Sequence, residues 1–520
     1  MITEDQSAVI NFLSRPSTHG GAPVERIDTH SAIVFLAAAR AYKLKRAVRF
    51  DYLDFSTAAL RRTFCDAEVR LNSRSAPHLY RRVLPVTREP NRSLALDGVG
   101  YAVDWLVEMN RFPQKALFDK LASTGHLNRA LMSPLADAIA AFHTAAERRT
   151  DHGGVKGMRW VVDGNALGLV EFGAGWLDQS ACARMIAGAR CEVDKQAALL
   201  DSRRQSGYVR QCHGDLHLRN IVLLDGQPTL FDGVEFNDEI ACTDVQYDLA
   251  FLLMDLWRRG LTQHANVIWN RYLMATGDLD GIALQPLCLS CRAAVRAKTS
   301  ATAARVQTDA NRRVELEELA REYLRAAEQF LHPPGPLLIA VGGFSGSGKS
   351  TLAKALAPSI GAVPGAVVLR SDEIRKQHFG VARLEHLGTD AYERTISERV
   401  YRTLADRAGA ILRAGHSVIV DAVYARPADR QAIEHVAAEA SAPFVGLWLD
   451  APESTLIARV NDRRGDPSDA TTSVVRMQLA QGAGISEWQR VDASSSPAST
   501  LRVASEYLRE LASDVPSCHP

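Results

Sequence analysis

The sequence has no excess of either charge, because 61 lysines and arginines stand against 60 aspartates and glutamates in 520 residues. A balanced surface does not attract nucleic acid or an anionic membrane, so composition argues against both as partners. The sequence also lacks a cationic segment followed by an apolar one at residues 1–23, and it has no apolar run of about 18–20 residues. We therefore expect a cytoplasmic protein without a membrane partner.

Cysteine is also scarce, with eight residues scattered along the chain. Such sparse thiols are typical of a reducing compartment and give no disulfide framework. Only Cys288 and Cys291 have the spacing of a redox or metal pair, and no second pair accompanies them. We assign these two cysteines a structural role.

The chain is too long for one hydrophobic core, and length alone predicts about three units. Hydrophobic residues make up 46% and charged residues 23%, as in ordinary globular proteins. The clearest interruption is the proline-rich segment 331–336, which ends any preceding helix and stiffens the chain. We predict an amino-terminal extension over residues 1–25, a first domain over 26–332, a linker over 333–336 and a second domain over 337–514.

The most specific stretch is Gly343 to Ser350, which fits the pattern G-x-x-x-x-G-K-[ST] of a phosphate-binding loop. The apolar run 337–341 predicts a buried strand before it and 350–357 predicts a helix after it, so a flexible Gly- and Ser-rich linker is the weaker interpretation. Glycines let successive N–H groups point at a phosphate, and the helix start adds partial positive charge. Lys349 is expected to reach the β- and γ-phosphates, and the Ser350 hydroxyl to meet Mg²⁺. The residues predicted to hold the triphosphate are Gly343, Ser345, Gly346, Ser347, Gly348, Lys349, Ser350 and Thr351.

Two aspartates follow later buried strands of the second half. Asp372 comes after the strand predicted at 366–369, and Asp421 directly follows the strand predicted at 417–420. Ligands of an open α/β sheet lie beyond the carboxyl ends of its strands, so both carboxylates are expected near the phosphates. We predict that Asp372 is a general base for a substrate hydroxyl, with a helix N-cap as the alternative. Asp421 is predicted to hold Mg²⁺, with a second substrate-side carboxylate as the alternative.

Arginines gather just before a turn-rich segment at residues 465–469. Arg459 and Arg463 are predicted to supply positive charge when this loop closes over a triphosphate. The alternative is a solvated basic helix end that complements its own dipole.

The first half begins with strand-like segments and continues with helical ones such as 181–200, which predicts two lobes. Lys43 and Lys45 share one face of a predicted strand, because side chains alternate with a period of two. Glu68 lies in the helix predicted at 56–72, and a strand lysine with a helix glutamate is how kinase-like enzymes hold α- and β-phosphates. A basic strand edge and a surface glutamate are the alternative interpretation.

A second set of chemical groups lies at residues 212–232. Asp215 stands five residues before Asn220, and Asp232 follows one predicted hairpin later. Kinase chemistry needs an aspartate that accepts the proton of the attacking hydroxyl, and an asparagine and a second aspartate that bind Mg²⁺. Two loops with a capping aspartate are the alternative, and three polar groups in register around one hairpin argue against it.

The pattern H-G-D-x-H-x-x-N at 213–220, followed by an apolar-D-G element, resembles the aminoglycoside phosphotransferase and choline kinase branch of the protein-kinase-like fold. The resemblance covers about residues 25–330. The site residues that it implies are Asp215 as catalytic base, Asn220 and Asp232 as Mg²⁺ ligands, and Lys43 or Lys45 on the phosphates with Glu68 as its partner.

The same resemblance implies that the backbone at 108–111 holds adenine and that His213 holds its own loop. The sequence departs from the protein kinases in one respect, because no G-x-G-x-x-G loop precedes the lysine strand. Residues 29–31 offer a short turn there instead.

The ordered set G-F-S-G-S-G-K-S, L-R-S-D, V-I-V-D-A and R-V-x-x-R resembles small-molecule P-loop kinases of the gluconate kinase, chloramphenicol phosphotransferase, zeta-toxin and polynucleotide kinase type, over about residues 336–512. The whole chain is similar to bacterial two-domain proteins in which an aminoglycoside-phosphotransferase-like domain precedes an AAA-labelled ATP-binding kinase domain. We therefore predict mixed α/β and α+β architecture in two domains. The first is a bilobal protein-kinase-like fold, and the second is a P-loop fold with a parallel sheet.

These motifs predict an ATP-dependent phosphotransferase with two nucleotide sites, each moving a γ-phosphoryl group, with Mg²⁺, to a hydroxyl of a small polar molecule. One alternative keeps a single centre active and makes the other domain a nucleotide-binding regulatory module. Another is a toxin-like kinase acting on a nucleotide sugar or a nucleic-acid end, and the balanced charge argues against the nucleic acid. The motifs identify neither acceptor, since similarity to a resistance enzyme is fold-level analogy.

Overall fold

The computed structural model describes residues 3–484 and 487–514. The chain divides into two compact units, Met1–Asp255 with Cys291–Ala327, and Leu256–Ser290 with Glu328–Pro520. Residues 256–290 thus cluster with the second unit, although their sequence position placed them in the first domain, and the domain boundaries stay a prediction. Among the described residues, no helix is both long and apolar enough to span a bilayer.

Strands dominate the start of the chain and helices follow. The strands up to residue 244 are β1 (Val24–Asp28), β2 (Ala32–Ala37), β3 (Arg40–Lys45), β4 (Arg49–Phe50), β5 (Leu53–Asp54), β6 (Tyr80–Arg88), β7 (Leu94–Leu96), β8 (Tyr101–Asn110), β9 (Val209–Gln211), β10 (Ile221–Leu224), β11 (Gln227–Leu230) and β12 (Cys242–Asp244). The helices up to residue 330 are α1 (Ser7–Leu13), α2 (Ala58–Asn72), α3 (Phe118–Ser123), α4 (Met132–Ala145), α5 (Gly154–Gly173), α6 (Gln179–Lys195), α7 (Ala197–Gln205), α8 (Asp238–Ala241), α9 (Val245–Arg258), α10 (Thr262–Thr276), α11 (Gln285–Val306) and α12 (Ala310–Phe330).

Strands and helices alternate in the remainder of the chain. Its strands are β13 (Leu338–Gly343), β14 (Val367–Arg370), β15 (Val418–Asp421), β16 (Phe444–Asp450) and β17 (Gln489–Asp492). Its helices are α13 (Lys349–Leu356), α14 (Ser371–His378), α15 (Arg394–Arg413), α16 (Pro427–Glu439), α17 (Glu453–Asn461), α18 (Thr472–Gln481) and α19 (Pro497–Asp514).

The first unit begins with an antiparallel sheet in the order β1-β2-β3-β8-β6-β7. Leu106 of β8 packs on one face with Val9 and Leu13 of α1. Its neighbour Val107 packs on the other face with Cys65 of α2. Adjacent strand residues point to opposite faces, so the two helices together cover both sides of the sheet. This small lobe is followed by a helical lobe, as predicted for a bilobal protein-kinase-like domain.

The predicted helix at 181–200 is two helices. α6 ends at Lys195 and α7 begins at Ala197, and Gln196 between them has φ −93° and ψ 9°, outside the helical region. The apolar pattern continues through this break, and for that reason periodicity alone did not reveal it.

The second unit is built on a wholly parallel sheet in the order β14-β15-β13-β16-β17. β13, which leads into the phosphate-binding motif, lies at its centre and pairs with β15 and β16. Val341 of β13 is level with Asp421, and Asp421 is level with Arg370 of β14. The strands therefore carry their polar residues to one edge, as the sequence predicted.

β14 is the last strand on one side of this sheet, and α10 supplies side-chain hydrogen bonds to it. Asn266 donates to the carbonyl oxygens of Pro364 and Ala366, both at 3.1 Å. The Asn270 carbonyl accepts from the amide of Val368 at 2.6 Å. Side-chain amides thus satisfy backbone groups at β14 that an edge strand would expose.

Glycine at position 446 of β16 makes room for the ring of Trp488. A Cβ at Gly446 would lie 2.4 Å from the Trp488 ring, which is a severe overlap. We predict that Gly446→Ala lowers the free energy of unfolding of the second unit by about 1–3 kcal/mol, because overpacking forces the ring or the strand to shift. Chemical denaturation followed by circular dichroism measures this. Gly335→Ala is the control, since nothing lies within 4 Å of a Cβ there, and equal stability of the two variants would contradict the packing explanation.

Candidate active sites

The P-loop connects the end of β13 to the start of α13. Gly346 and Gly348 have φ of +85° and +94°, the left-handed region that favours glycine. A Cβ at Gly346 would lie 2.4 Å from the carbonyl oxygen of Leu456, so no larger residue fits. The loop can curl tightly around a ligand only because these positions are glycine.

A cavity of about 890 Å³ opens in front of this loop. Its walls include most of the predicted site residues of the second half, namely Ser345, Gly346, Ser347, Gly348, Lys349, Ser350, Thr351, Asp372, Asp421, Arg459 and Arg463. Gly343 lies at the end of β13 outside these walls, where a Cβ would fall 2.6 Å from the Leu449 carbonyl oxygen. Gly343 therefore allows close packing behind the loop.

Ser350 and Asp421 meet at the strand edge, where Mg²⁺ binding is predicted. The Ser350 hydroxyl donates to Asp421 Oδ2 at 2.5 Å. Arg370 lies against both, with Nη2 2.7 Å from Ser350 Oγ and Nε 3.1 Å from Asp421 Oδ2. Burial opposes the charge of Arg370, but the carboxylates of Asp421, Glu373 and Asp466 outweigh it and raise the pKa of Arg370. Sequence analysis missed this arginine, although its position at the end of β14 was a signal.

Asp372 lies in the first turn of α14, whose N-cap residue is Arg370. The alternative that Asp372 caps the helix is therefore wrong. Burial raises the pKa of Asp372 above its usual value, Arg370 and Lys349 oppose the rise and Asp421 adds to it. Burial also lowers the pKa of Lys349, which Asp421 and Asp372 partly offset.

Arg375 also lines the cavity, and sequence analysis missed it. Arg375 is 5% exposed, donates to the Ala391 carbonyl at 2.6 Å and stacks on the Tyr392 ring. Its Nε is buried without a hydrogen-bond partner among the described residues. Nearby, Asp469 accepts from Lys376 Nζ at 2.8 Å and from Tyr392 Oη at 3.0 Å. The turn-rich loop at 465–469 is thereby fastened to the cavity wall.

In the first unit, Glu68 joins both candidate lysines. Lys43 Nζ lies 2.8 Å from Glu68 Oε1, and Lys45 Nζ lies 2.6 Å from Glu68 Oε2. Burial opposes ionisation, but the two ammonium groups lower the pKa of Glu68 to about 2. Lys43 also contacts Asp232 at 2.5 Å, and Lys45 contacts Glu235. The interpretation of Glu68 as a surface residue is therefore wrong, since it is fully buried.

Asp215 and Asn220 meet across their loop. The Asn220 amide donates to Asp215 Oδ2 and to the Asp215 carbonyl, both at 2.9 Å. His217 Nε2 lies 3.3 Å from Asp215. Burial opposes ionisation of Asp215, but the charge and hydrogen bond of His217 outweigh it and lower the pKa of Asp215. His213 holds the loop, as the resemblance implied, because its ring bonds to the Phe231 carbonyl at 2.9 Å.

The loop after β11 carries Asp232 with φ +60°. The Asp232 amide donates to the Tyr80 hydroxyl at 3.0 Å, and the next amide, of Gly233, donates to Asn72 Oδ1 at 2.6 Å. Helix α2 and strand β6 therefore fix the position of this carboxylate.

In the backbone segment 108–111, which is predicted to hold adenine, two amides bond to other parts of the chain. The amide of Asn110 donates to the Leu79 carbonyl at 2.8 Å and that of Arg111 to the Ala39 carbonyl at 3.0 Å. In the turn predicted to replace a glycine-rich loop, Thr29 bonds through its hydroxyl to both the carbonyl and the amide of Ala32.

Asp248 holds the loop that carries Asp215. The apolar pattern at 248–258 predicts a helix that Asp248 caps. α9 begins at Val245, so this prediction is wrong and Asp248 lies in the first turn of the helix. Asp248 instead accepts from the amides of His213 at 3.1 Å and Gly214 at 2.8 Å, and contacts His143 Nε2 at 3.0 Å. Burial opposes ionisation, but His143 and the nearby charges lower the pKa of Asp248 to about 2.

The second unit combines a central strand, a glycine loop, a lysine at the helix start, and two aspartates at or just after the ends of strands. These features define a P-loop kinase domain. Residues 338–483 match a family model described as an AAA domain. An adenylyl-sulfate kinase of Myxococcus xanthus (strain DK1622) is 30% identical over 148 residues, which cover 28% of this chain and 71% of that protein. Through this region the chain belongs to the P-loop kinases of the AAA-domain family.

Similarity also extends through both halves. An uncharacterized protein of Mycobacterium tuberculosis (strain H37Rv) is 28% identical over 487 residues, which cover 89% of this chain and 91% of that protein. A solved structure of an amicoumacin kinase covers 62% of this chain and 94% of its own, at 12% identity and a TM-score of 0.39.

We predict that Asp248→Asn destabilises the first unit by about 2–4 kcal/mol at pH 7, because a buried hydrogen-bonded charge is lost. The folded pKa of about 2 lies below the value of about 3.9 in an unfolded chain, so this stabilisation is complete above that higher value and is lost as pH falls towards the lower one. Urea denaturation of wild type and variant, at pH 7 and at a pH near the folded pKa of about 2, measures the effect. The control is Asp163→Asn, which removes an exposed pair with Arg190. An Asp248→Asn variant as stable as this control would contradict the anchoring role.

Proposed function

We propose that the chain is an ATP-dependent phosphotransferase with two centres, each transferring the γ-phosphoryl group to a hydroxyl of a small polar molecule. The observation that carries the proposal is that each unit gathers a lysine, oxygen ligands suited to Mg²⁺ and a carboxylate base. In the second unit these are Lys349, Ser350 with Asp421, and Asp372. In the first unit they are Lys43, Asn220 with Asp232, and Asp215.

Triphosphate and Mg²⁺ fit the P-loop centre. Ser347 Oγ and Arg463 Nη1 are buried without hydrogen-bond partners among the described residues, and both residues line the cavity. Phosphate oxygens can accept from both groups. The Ser350 hydroxyl and the Asp421 carboxylate are the hard oxygen ligands that Mg²⁺ prefers. When bound, Mg²⁺ neutralises negative charge on the phosphates.

Different side chains of this centre bind the phosphates and accept the proton during transfer. Lys349, Arg459 and Arg463 hold phosphate oxygens, and Asp372 accepts the proton of the attacking hydroxyl. A carboxylate whose pKa is raised is a stronger base than an exposed one, which suits Asp372 to this role.

The structure favours Lys43 over Lys45 as the phosphate lysine of the first centre. Lys43 meets Asp232, and its side chain is 16% exposed, whereas that of Lys45 is 2% exposed. A ligand can therefore reach Lys43 but not Lys45. We propose that Asp215 orients the acceptor hydroxyl, and the contacts of its carboxylate with Asn220 and His217 support this role.

The acceptor of the P-loop centre is proposed to carry an anionic group. Arg375 lines the same cavity, and its buried Nε is a charged donor without a hydrogen-bond partner among the described residues, so it can donate to an anionic group of the substrate. A buried donor without a partner costs free energy. A carboxylate or phosphate on the acceptor would remove this cost by accepting from Arg375, and would thereby strengthen binding of the acceptor.

The test compares wild type with Asp215→Ala and Lys349→Ala in a pool of polar metabolites with ATP and Mg²⁺, with products detected as mass shifts of one phosphate. Each variant is expected to lose a different product by about 100-fold or more, the usual contribution of such catalytic groups. The control is Arg402→Gln, which replaces an exposed residue of α15. Loss of every product in Lys349→Ala and of none in Asp215→Ala would show that only the P-loop centre is active.

The two centres are expected to differ in their response to acid. The pKa of Asp372 is raised and that of Asp215 is lowered. A base works only when ionised, so the Asp372-dependent product should fall at higher pH than the Asp215-dependent product as the solution is acidified. Rates of both products measured across pH test this, and coincident acid limbs would contradict the assigned bases.

A further inference from the structure

We propose that Lys45 and Glu235 form a latch that fixes the phosphate lysine of the first centre, and that Glu235 is a positioning residue of that centre. The proposal rests on the function proposed above for Lys43. Neither the motif that led to Asp215 nor the lysine and glutamate pattern assigns a role to Glu235.

The geometry of Glu68 shows why one lysine depends on the other. Its two oxygens are divided between the ammonium groups, with Lys43 on Oε1 and Lys45 on Oε2. A carboxylate bound on both oxygens cannot rotate without breaking an ion pair. Lys45 therefore fixes the orientation in which Glu68 presents Oε1 to Lys43.

The two lysines differ in what lies on their other side. Lys43 faces Asp232, whose side chain is 43% exposed, so this end opens to a ligand. Lys45 faces Glu235, whose side chain is 4% exposed, and its ammonium lies 4.8 Å from the centre of the Phe55 ring. The second pair is sealed from solvent, where a charge pair is held firmly and water does not compete.

Glu235 also ties separate chain segments together. It belongs to the loop of Asp232, three residues further on, while Lys45 lies on β3 and Glu68 on α2. The same loop is fastened through Gly233 to Asn72 of α2. Through Lys45, Glu235 therefore holds β3, α2 and the Asp232 loop in the one arrangement in which Lys43 meets both Glu68 and Asp232.

The way these charges are shared connects the latch to Lys43. Glu68, Asp232 and Glu235 share two ammonium groups. Without Glu235, Glu68 would be the remaining ion-pair partner of Lys45. Without Lys45, Glu68 would have only Lys43, which would then be drawn away from Asp232 and from the phosphates.

The test measures how strongly the phosphates contribute to binding. In the full chain with Lys349→Ala, dissociation constants of ATP with Mg²⁺ and of adenosine are measured by displacement of a fluorescent adenosine derivative. Lys45→Met and Glu235→Gln are each expected to reduce the preference for ATP over adenosine by at least about tenfold, since a charged contact to phosphate is lost. Adenosine affinity should stay unchanged, because the latch does not face the base.

The double variant Lys45→Met/Glu235→Gln separates positioning from stability. Lys45→Met alone leaves the carboxylate of Glu235 buried without its ion-pair partner. The double variant removes that charge as well, so its melting temperature should exceed that of Lys45→Met, while the preference for ATP stays reduced. The control is Arg203→Met/Asp244→Asn, which removes another buried pair at 2.8 Å. It should lower the melting temperature without changing the preference for ATP.

A double variant with the wild-type preference for ATP would overturn the latch, as would an equal loss in the control. Lys43→Ala distinguishes this from failure of the proposed function. If Lys43→Ala reduces the preference for ATP and Glu235→Gln does not, only the latch is wrong. If Lys43→Ala has no effect, the function proposed for the first centre is wrong.

Discussion

The ion pair between Glu68 and two lysines is the interaction on which the first unit depends. A carboxylate removed from water is tolerated only beside opposite charge, and here two ammonium groups from one strand supply it. This single contact joins the sheet to α2 and directs Lys43 toward Asp232. In the second unit the guanidinium of Arg370 supplies the opposite charge, since it donates to both Ser350 and Asp421 at the strand edge. In both units, the groups suited to phosphate chemistry are organised by the need to pair buried charge.

Much of the fold followed from local patterns. Buried apolar runs that end in polar residues predicted the parallel strands, and their common edge placed Asp372 and Asp421 in one cavity. Local patterns gave wrong predictions where the same sequence pattern is compatible with two different structures. The break at Gln196 interrupts no apolar period, and Asp248 resembles a cap because it stands near the start of a helix. Its actual partners, the amides of the Asp215 loop, are distant in sequence.

The same reasoning explains which site residues could be predicted. Lys349, Asp215 and Asp232 belong to motifs whose spacing reflects local geometry. The roles of Glu235, Arg375 and Asp469 depend on contacts with residues distant in sequence. The spacing of residues in a local motif cannot predict such contacts. The ambiguity between Lys43 and Lys45 has a physical origin, because a period of two gives both lysines the same face of β3. Only their depth of burial separates them.

The asparagines of α10 bear on how the protein can be divided. The proline-rich segment is the natural place to separate the two halves, yet α10 precedes it and bonds to β14 through Asn266 and Asn270. A fragment that starts at the P-loop domain would leave the backbone groups of β14 exposed along an open sheet edge, which is a template for aggregation. Poor solubility of such a fragment would therefore reflect where the chain was cut rather than weak folding of the sheet. A fragment beginning before α10 keeps that edge covered.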